Sequence, residues 1–280
     1  MESLRLVAAD GYPLAADLSV PVGEPHTVVL IAPALGTPRV LYHKWMRFLA
    51  EHGFASLVLD YRGIGGSAPS RLRGFRATLL DWARLDLAAG LDVLKMRFPG
   101  VPVAWFGHSM GGQLFGLLPT SAGPVDRVLL VGTAHGYWRH WKGARRWGVW
   151  LLWHTIPLVT LFAGFFPMRS AGHGADIPSG AARQWAEWGR DPRYIGKAAQ
   201  DLPDSVFHHL TSSIRSISIA DDHYAPPTSV AALVALYAQA PTEVVNLHPE
   251  SEGMRRIGHF GVFRRSSLFP KWVEYLRGGR

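Results

Sequence analysis

Between residues 27 and 131, short apolar runs alternate with longer stretches of helical spacing, and this rhythm narrows the possible folds more than any other feature. "TVVLIAPA" is followed by "YHKWMRFLAEHG", "FASLVLDYRG" by "ATLLDWARLDLAAGLDVLKMRF", and "VPVAWFG" by "MGGQLFGLLP", with "VDRVLLVG" closing the series. The strand-like runs are apolar at consecutive positions, so both of their faces must be buried. A parallel sheet covered by helices on either side meets that requirement. Ahead of the series, "LRLVAA" and "PLAADLSVP" flank an Asp10-Gly11 turn signal and predict a hairpin.

From about Thr133 to Ser213 no strand pattern is visible, and then the alternation resumes. "IRSISIA", the helical "PTSVAALVALYAQ", the strand-like "TEVVNLH", a Gly-rich loop and the helical "LFPKWVEYLR" complete the chain. The expected architecture is an α/β fold built on a mostly parallel sheet. Residues 1–132 and 214–280 form its core, and 133–213 form a helical insertion between the sixth and seventh strands. That insertion holds Trp138, Trp141, Trp147, Trp150, Trp153, Trp185 and Trp188 of the eleven tryptophans. Emerging at the sheet edge where the loops gather, it is placed to cap a site there.

A chain of 280 residues with 48% apolar and 18% charged residues has enough core for one domain and is far from a disordered composition. The net charge of +8 raises the question of nucleic acid. The arginines are scattered without recognition-helix spacing, so no nucleic-acid partner is expected and a solvated basic surface is the reading. Weak attraction to anionic lipid is the alternative. The absence of cysteine excludes disulfides, thiolate nucleophiles and Cys-ligated metals. The start "MESLRLVAADGYPL" shows no basic region followed by an apolar stretch, so cytoplasm is the default location, with peripheral membrane contact as a variant. One window, "WGVWLLWHTIPLVTLFAGFFP" (147–167), lacks formal charge and has the length of a bilayer span, but His154 and Pro157 interrupt it. A buried or cap-forming helical pair is expected there.

Within "VPVAWFGHSMGGQLFGLL", Gly107-His108-Ser109-Met110-Gly111 fits the pattern G-x-S-x-G. The pattern alone is weak, but its position between a buried strand and a helix makes it strong. A tight turn there lifts the Ser oxygen above the sheet, and a side chain in place of either glycine would collide with a neighbouring element. A serine hydroxyl needs a base, and the base an orienting acid. In strand–turn–helix sites of this kind the order along the chain is Ser, acid, His. That order leaves His223, His248 and His259 of the thirteen histidines. His223 adjoins the candidate acids, and His248 ends an apolar run. His259, in "RRIGHFGVF" with glycines on either side, is preferred. For the acid, "SISIADDHYAPP" offers Asp222, at the D-x-x-x-P offset from Pro226, ahead of Asp221.

These residues carry a resemblance. "GHSMGG", "DYRGIGGS", "ADDHYAPP" and "GHFGVF" are similar to the motifs of the α/β-hydrolase superfamily over nearly the whole chain. The Trp-rich cap and "IPSGAARQWAEWGRDPRY" resemble one bacterial branch of it. The resemblance implies a Ser109-His259-Asp222 triad, and an oxyanion hole from the backbone N–H groups of Leu35 and Met110. It also implies a departure, because "LIAPALGTP" carries Pro33-Ala34 where relatives usually have a His-Gly pair.

The expected activity is hydrolysis of a carboxylic ester with a hydrophobic acyl or alcohol part, through an acyl-enzyme and without metal or other cofactor. A lipid-like small molecule is the expected partner, with weak membrane-surface contact through the cap as a further option. Amide or C–C bond hydrolysis, acyl transfer, and a non-catalytic binding protein of the same fold remain alternatives.

Overall fold

The computed structural model describes residues 1–172 and 174–278. Strands numbered in chain order are β1 (Glu2–Val7), β2 (Pro13–Ser19), β3 (Thr27–Ala32), β4 (Phe54–Leu59), β5 (Val103–His108), β6 (Arg127–Val131), β7 (Phe165–Phe166), β8 (Ile177–Pro178), β9 (Ser213–Ile219) and β10 (Thr242–Leu247). Eight of them form one sheet in the order β1-β2-β4-β3-β5-β6-β9-β10. β1 and β2 pair antiparallel as the predicted hairpin, β2 runs antiparallel to β4, and the other neighbours are parallel. The α/β class and the mostly parallel sheet match the sequence expectation.

The consecutive apolar residues divide between two cores because successive side chains point to opposite faces. From β3, Val28, Leu30 and Ala32 enter one core while Val29 and Ile31 enter the other. Helices His43–Glu51 and Phe269–Arg277 cover the second face, where the Trp45 ring lies 4.8 Å from Phe269 and 5.5 Å from Trp272. The opposite face is covered by the helical run 79–97 and the short helix Met110–Phe115. The run starts in a capping box: Asp81 N–H donates to Thr78 Oγ1, and Thr78 N–H donates to the Asp81 carboxylate.

That run departs from a plain helix at Trp82–Leu87, which is π-helical. There the buried Asp86 carboxylate accepts from Arg62 N–H at 2.8 Å and Arg62 Nε at 2.7 Å, while Trp82 Nε1 donates to the Arg62 carbonyl. The wider turn lets one helix hold the loop "YRGIGGS" that leaves β4.

From β3 the chain moves outward to β4 and then returns past β3 to β5. The loops after β3 and β5 therefore diverge, and such a reversal leaves a crevice at the carboxyl ends of the strands. The segment between β6 and β9 adds no strand to the large sheet. Its helices Gly143–Ala163 and Ser179–Arg190 pack together, with the Trp153 and Trp185 rings 4.5 Å apart. It also carries the β7–β8 ladder, Phe165 opposite Pro178 and Phe166 opposite Ile177. No strand was expected in this segment, since a two-residue pairing is too short to leave a periodic trace. Among the described residues no helix is long and apolar enough to cross a membrane.

Burial of histidine makes this fold acid-sensitive. His135, just past β6, is 4% exposed, and burial, aided by the nearby His140, pushes its imidazole down to about 4 from 6.5. Between those values the unfolded chain binds a proton that the folded chain refuses, so stability is full above about pH 6.5 and declines as pH falls toward 4. From His135 alone, stability at pH 5 should be about 2 kcal/mol below that at pH 7. Urea midpoints at the two pH values measure this, and His135→Gln should reduce the difference by about that amount.

Candidate active site

Ser109 follows β5 directly and adopts φ 52°, ψ −115°, a left-handed conformation rarely taken by a residue with a Cβ. The surroundings explain how it is held. Its N–H donates to the Val131 carbonyl at 3.0 Å, and its own carbonyl accepts from Gly112 and Gln113 N–H at 3.1 and 3.2 Å. A Cβ on Gly111 would lie 2.0 Å from the Ala32 carbonyl oxygen, and one on Gly107 would lie 2.5 Å from Gly112 Cα. The turn therefore fits only with glycine on both sides of Ser109. Strain of this kind, over-determined by its surroundings, is a mark of functional corners.

The imidazole and carboxylate come from loops at the same sheet edge. Asp222, past the end of β9, and His259, in the short helix Gly258–Gly261, are both buried, and His259 Nδ1 lies 2.6 Å from Asp222 Oδ2. The other carboxylate oxygen accepts from Tyr224 and Ala225 N–H at 2.8 and 3.3 Å. An acceptor-only carboxylate facing Nδ1 assigns the Nδ1–H tautomer, which leaves Nε2 with its lone pair free. Gly132, one residue after the Val131 carbonyl that holds Ser109, underlies this pair: a Cβ there would stand 3.1 Å from Asp222 Oδ2 and 3.2 Å from His259 Nδ1. The Ser109 hydroxyl, half-buried, makes no hydrogen bond among the described residues.

Asp221 does different work. It accepts from Ile257 and Gly258 N–H at 3.0 and 2.9 Å and so anchors the loop that presents His259. His223 and His248 are exposed, and neither side chain is brought to Ser109. Leu35 lies in the loop after β3 and Met110 opens the helix after β5. The N–H groups of both are without an acceptor among the described residues. The loop bearing Leu35 is tied down through Asp60, whose carboxylate accepts from Arg39 N–H at 2.7 Å and Gly66 N–H at 2.8 Å. These bonds give "DYRGIGGS" a role: it braces the neighbouring loop.

A buried chain of hydrogen bonds escaped the sequence reading. His108 Nε2 lies 3.1 Å from the His259 carbonyl, and a carbonyl can only accept, so that nitrogen carries the proton. Burial, reinforced by the adjacent His259 imidazole, pushes His108 well below its usual range and keeps it neutral. Nδ1 is then bare and accepts from the Tyr42 hydroxyl at 2.9 Å, while that oxygen accepts from Ala34 N–H at 2.8 Å. One relay thus links the loop of Leu35, the elbow of Ser109 and the loop of His259. Its only trace in sequence is a polar residue closing an apolar strand. Tyr42→Phe should lower kcat roughly 10-fold with KM nearly unchanged, because it releases the loops without touching a substrate surface. An unchanged kcat per active site, counted by titration with a fluorophosphonate, would show that the relay only supports the fold.

A family model for serine aminopeptidase S33 matches residues 23–214, more than half of the 280-residue chain. Human monoglyceride lipase is 29% identical over 112 residues, a match that spans 39% of this chain and 35% of that protein. Among solved structures, an esterase from Exiguobacterium antarcticum aligns with TM-score 0.62 at 18% identity, covering 99% of this chain and 100% of the other. A thermostable carboxyl esterase from Bacillus coagulans aligns with TM-score 0.63 at 15% identity, covering 99% and 98%. With sheet order, strained serine corner and family match in agreement, the chain belongs to the serine aminopeptidase S33 family and has the α/β-hydrolase fold.

Proposed function

We propose that this enzyme hydrolyses a carboxylic ester with an apolar acyl or alcohol part, using Ser109, His259 and Asp222. The observation that carries the reading is the 2.6 Å contact of His259 Nδ1 with a buried carboxylate, beside a serine held in a strained turn. His259 Nε2 takes the Ser109 proton as the serine oxygen attacks the ester carbonyl carbon. The negative oxygen that forms is met by Leu35 and Met110 N–H, and Asp222 stabilises the imidazolium. Collapse of the tetrahedral centre expels the alcohol, which receives the proton from His259. Water then repeats the sequence on the acyl-enzyme and frees the acid. The chemistry asks nothing of a metal or cofactor.

The names of the similar proteins, a monoglyceride lipase, an esterase and a carboxyl esterase, support an ester, and the first of them an apolar acyl part. The aromatic residues support it in a narrower way. Trp153 and Trp188 are buried in packing of the insertion itself, and Trp147 and Trp150 face outward. The segment 133–213 we take as the cap over this site. Trp141 sits at its base, with Nε1 donating to the His223 carbonyl at 3.0 Å, next to Asp222.

Amide hydrolysis on the same three residues is the second reading, favoured by the family's description as serine aminopeptidases. A panel of p-nitrophenyl esters of graded acyl length, run beside amino-acyl anilides, separates the two. Turnover of esters with a preference for longer chains is expected. Anilide turnover exceeding that of every ester would replace this reading with the second.

A further inference from the structure

The outer face of the helix Gly143–Ala163 is apolar and uncovered. Trp147, Leu151, Leu158, Leu161 and Phe162 are 59%, 55%, 58%, 63% and 75% exposed. Their spacing of three, four or seven puts them on one stripe, while Trp153, Ile156 and Thr160 face inward. A soluble surface ordinarily breaks such a stripe with charge. Here only His154, exposed at its middle, interrupts the stripe, and the formally charged residues at its two ends are cations.

At the amino end stand the exposed cations Arg139, Lys142 and Arg145. At the carboxyl end, the loop holding exposed Arg71, Arg73 and Arg76 reaches the helix, where Arg73 Nη2 donates to the Phe162 carbonyl at 2.6 Å. Residues 127–175 and 61–80 contain neither Asp nor Glu. Trp147 and Trp150, rings 6.5 Å apart, occupy the amino half of the stripe, and tryptophan favours the boundary between headgroups and hydrocarbon.

We propose that this helix lies flat on an anionic phospholipid surface. The stripe would enter the headgroup–acyl boundary, and the two cation clusters would rest on phosphate. Charge selects the occupant: an apolar face bounded only by cations fits a negative bilayer better than a second copy of the same positive chain. The docking stands on the surface itself. Its use, drawing an amphiphilic ester from the bilayer toward Ser109, rests on the ester-hydrolase reading. Trp141 roots the insertion at the rim of the site, through the His223 carbonyl.

Flotation of the purified protein with phosphatidylcholine vesicles, with and without phosphatidylglycerol, tests the proposal. The protein should float with the anionic vesicles, at least about 10-fold more than with phosphatidylcholine alone, and should be released in about 1 M salt. Leu161→Asp with Phe162→Asp should reduce flotation at least about 10-fold, with an unchanged melting temperature and unchanged turnover of a short, water-soluble ester. Arg71→Ala, Arg73→Ala and Arg76→Ala together should weaken it and reduce its salt dependence. Equal flotation by the Asp variant, or no flotation of the unmodified chain, overturns the proposal. So does light scattering that shows a dimer split by Leu161→Asp in a chain that never floats, which would assign the stripe to a second copy. Ser109→Ala should float like the unmodified protein. Flotation without ester turnover therefore sinks only the ester reading, and turnover without flotation sinks only the docking.

Discussion

Replacing Ser109 by alanine should reduce ester turnover by roughly 10⁵–10⁶-fold and leave the fold intact. The substitution removes one half-buried oxygen that has no hydrogen-bond partner among the described residues. The contacts that hold the corner are all backbone: Ser109 N–H to Val131, and Gly112 and Gln113 N–H to the Ser109 carbonyl. Alanine also carries a Cβ, so the strain at φ 52° is the same before and after. The melting temperature should therefore move little, and a fluorophosphonate probe that labels the unmodified enzyme should fail to label the variant. Any residual acceleration over water would come from the proposed oxyanion donors, Leu35 and Met110 N–H, and from substrate binding, which the substitution leaves in place. Undiminished labelling of the variant would place the nucleophile elsewhere.

The adjacent carboxylates give the second large effect, because chemically identical substitutions should behave differently. Asp222→Asn removes the acceptor that faces His259 Nδ1 at 2.6 Å. An amide presenting its NH₂ there would favour the opposite tautomer, with the proton on Nε2, and the base would be lost. A fall in kcat of roughly 10⁴-fold is expected, with KM changed little. Ile257 and Gly258 N–H donate to different oxygens of Asp221, so Asp221→Asn keeps one of these bonds without its charge and sets an NH₂ against the other N–H. Its cost should be about 1–2 kcal/mol in stability and at most roughly 10-fold in kcat, since the loop still carries His259. Steady-state kinetics and thermal melts on the two variants make the comparison. Near-equal loss of turnover in both would mean that the shared turn, and not the Asp222 carboxylate, is what activity needs.

Much of the scaffold was legible because it follows from burial. Runs such as Val28 to Ala32 have no polar face, so they must lie between two layers, and the order of elements then leaves few sheets to choose from. The serine corner was legible for a similarly local reason. Gly107 and Gly111 flank it within five residues, and their necessity is a matter of atoms one bond away. Long-range choices were not legible in that way. Neighbours in sequence, Asp221 and Asp222, reach the same loop 36 to 37 residues further along, but the first meets its backbone N–H groups and the second its imidazole. Three histidines satisfied the chain order, yet only His259 is carried to the buried carboxylate.

The sequence by itself determined the layer architecture, the strand-to-helix corner at Ser109 and the short set of acids and histidines from which partners had to come, because hydrophobic period and glycine stereochemistry act over a few residues. Only the tertiary structure decided that Asp222 faces His259, that Tyr42 and His108 join three loops, and that the apolar stripe of the helix Gly143–Ala163 is left open between two groups of cations. Those outcomes depend on where distant segments meet after the sheet has formed. A hydrogen bond or a bare surface between them has no periodic signature in the chain.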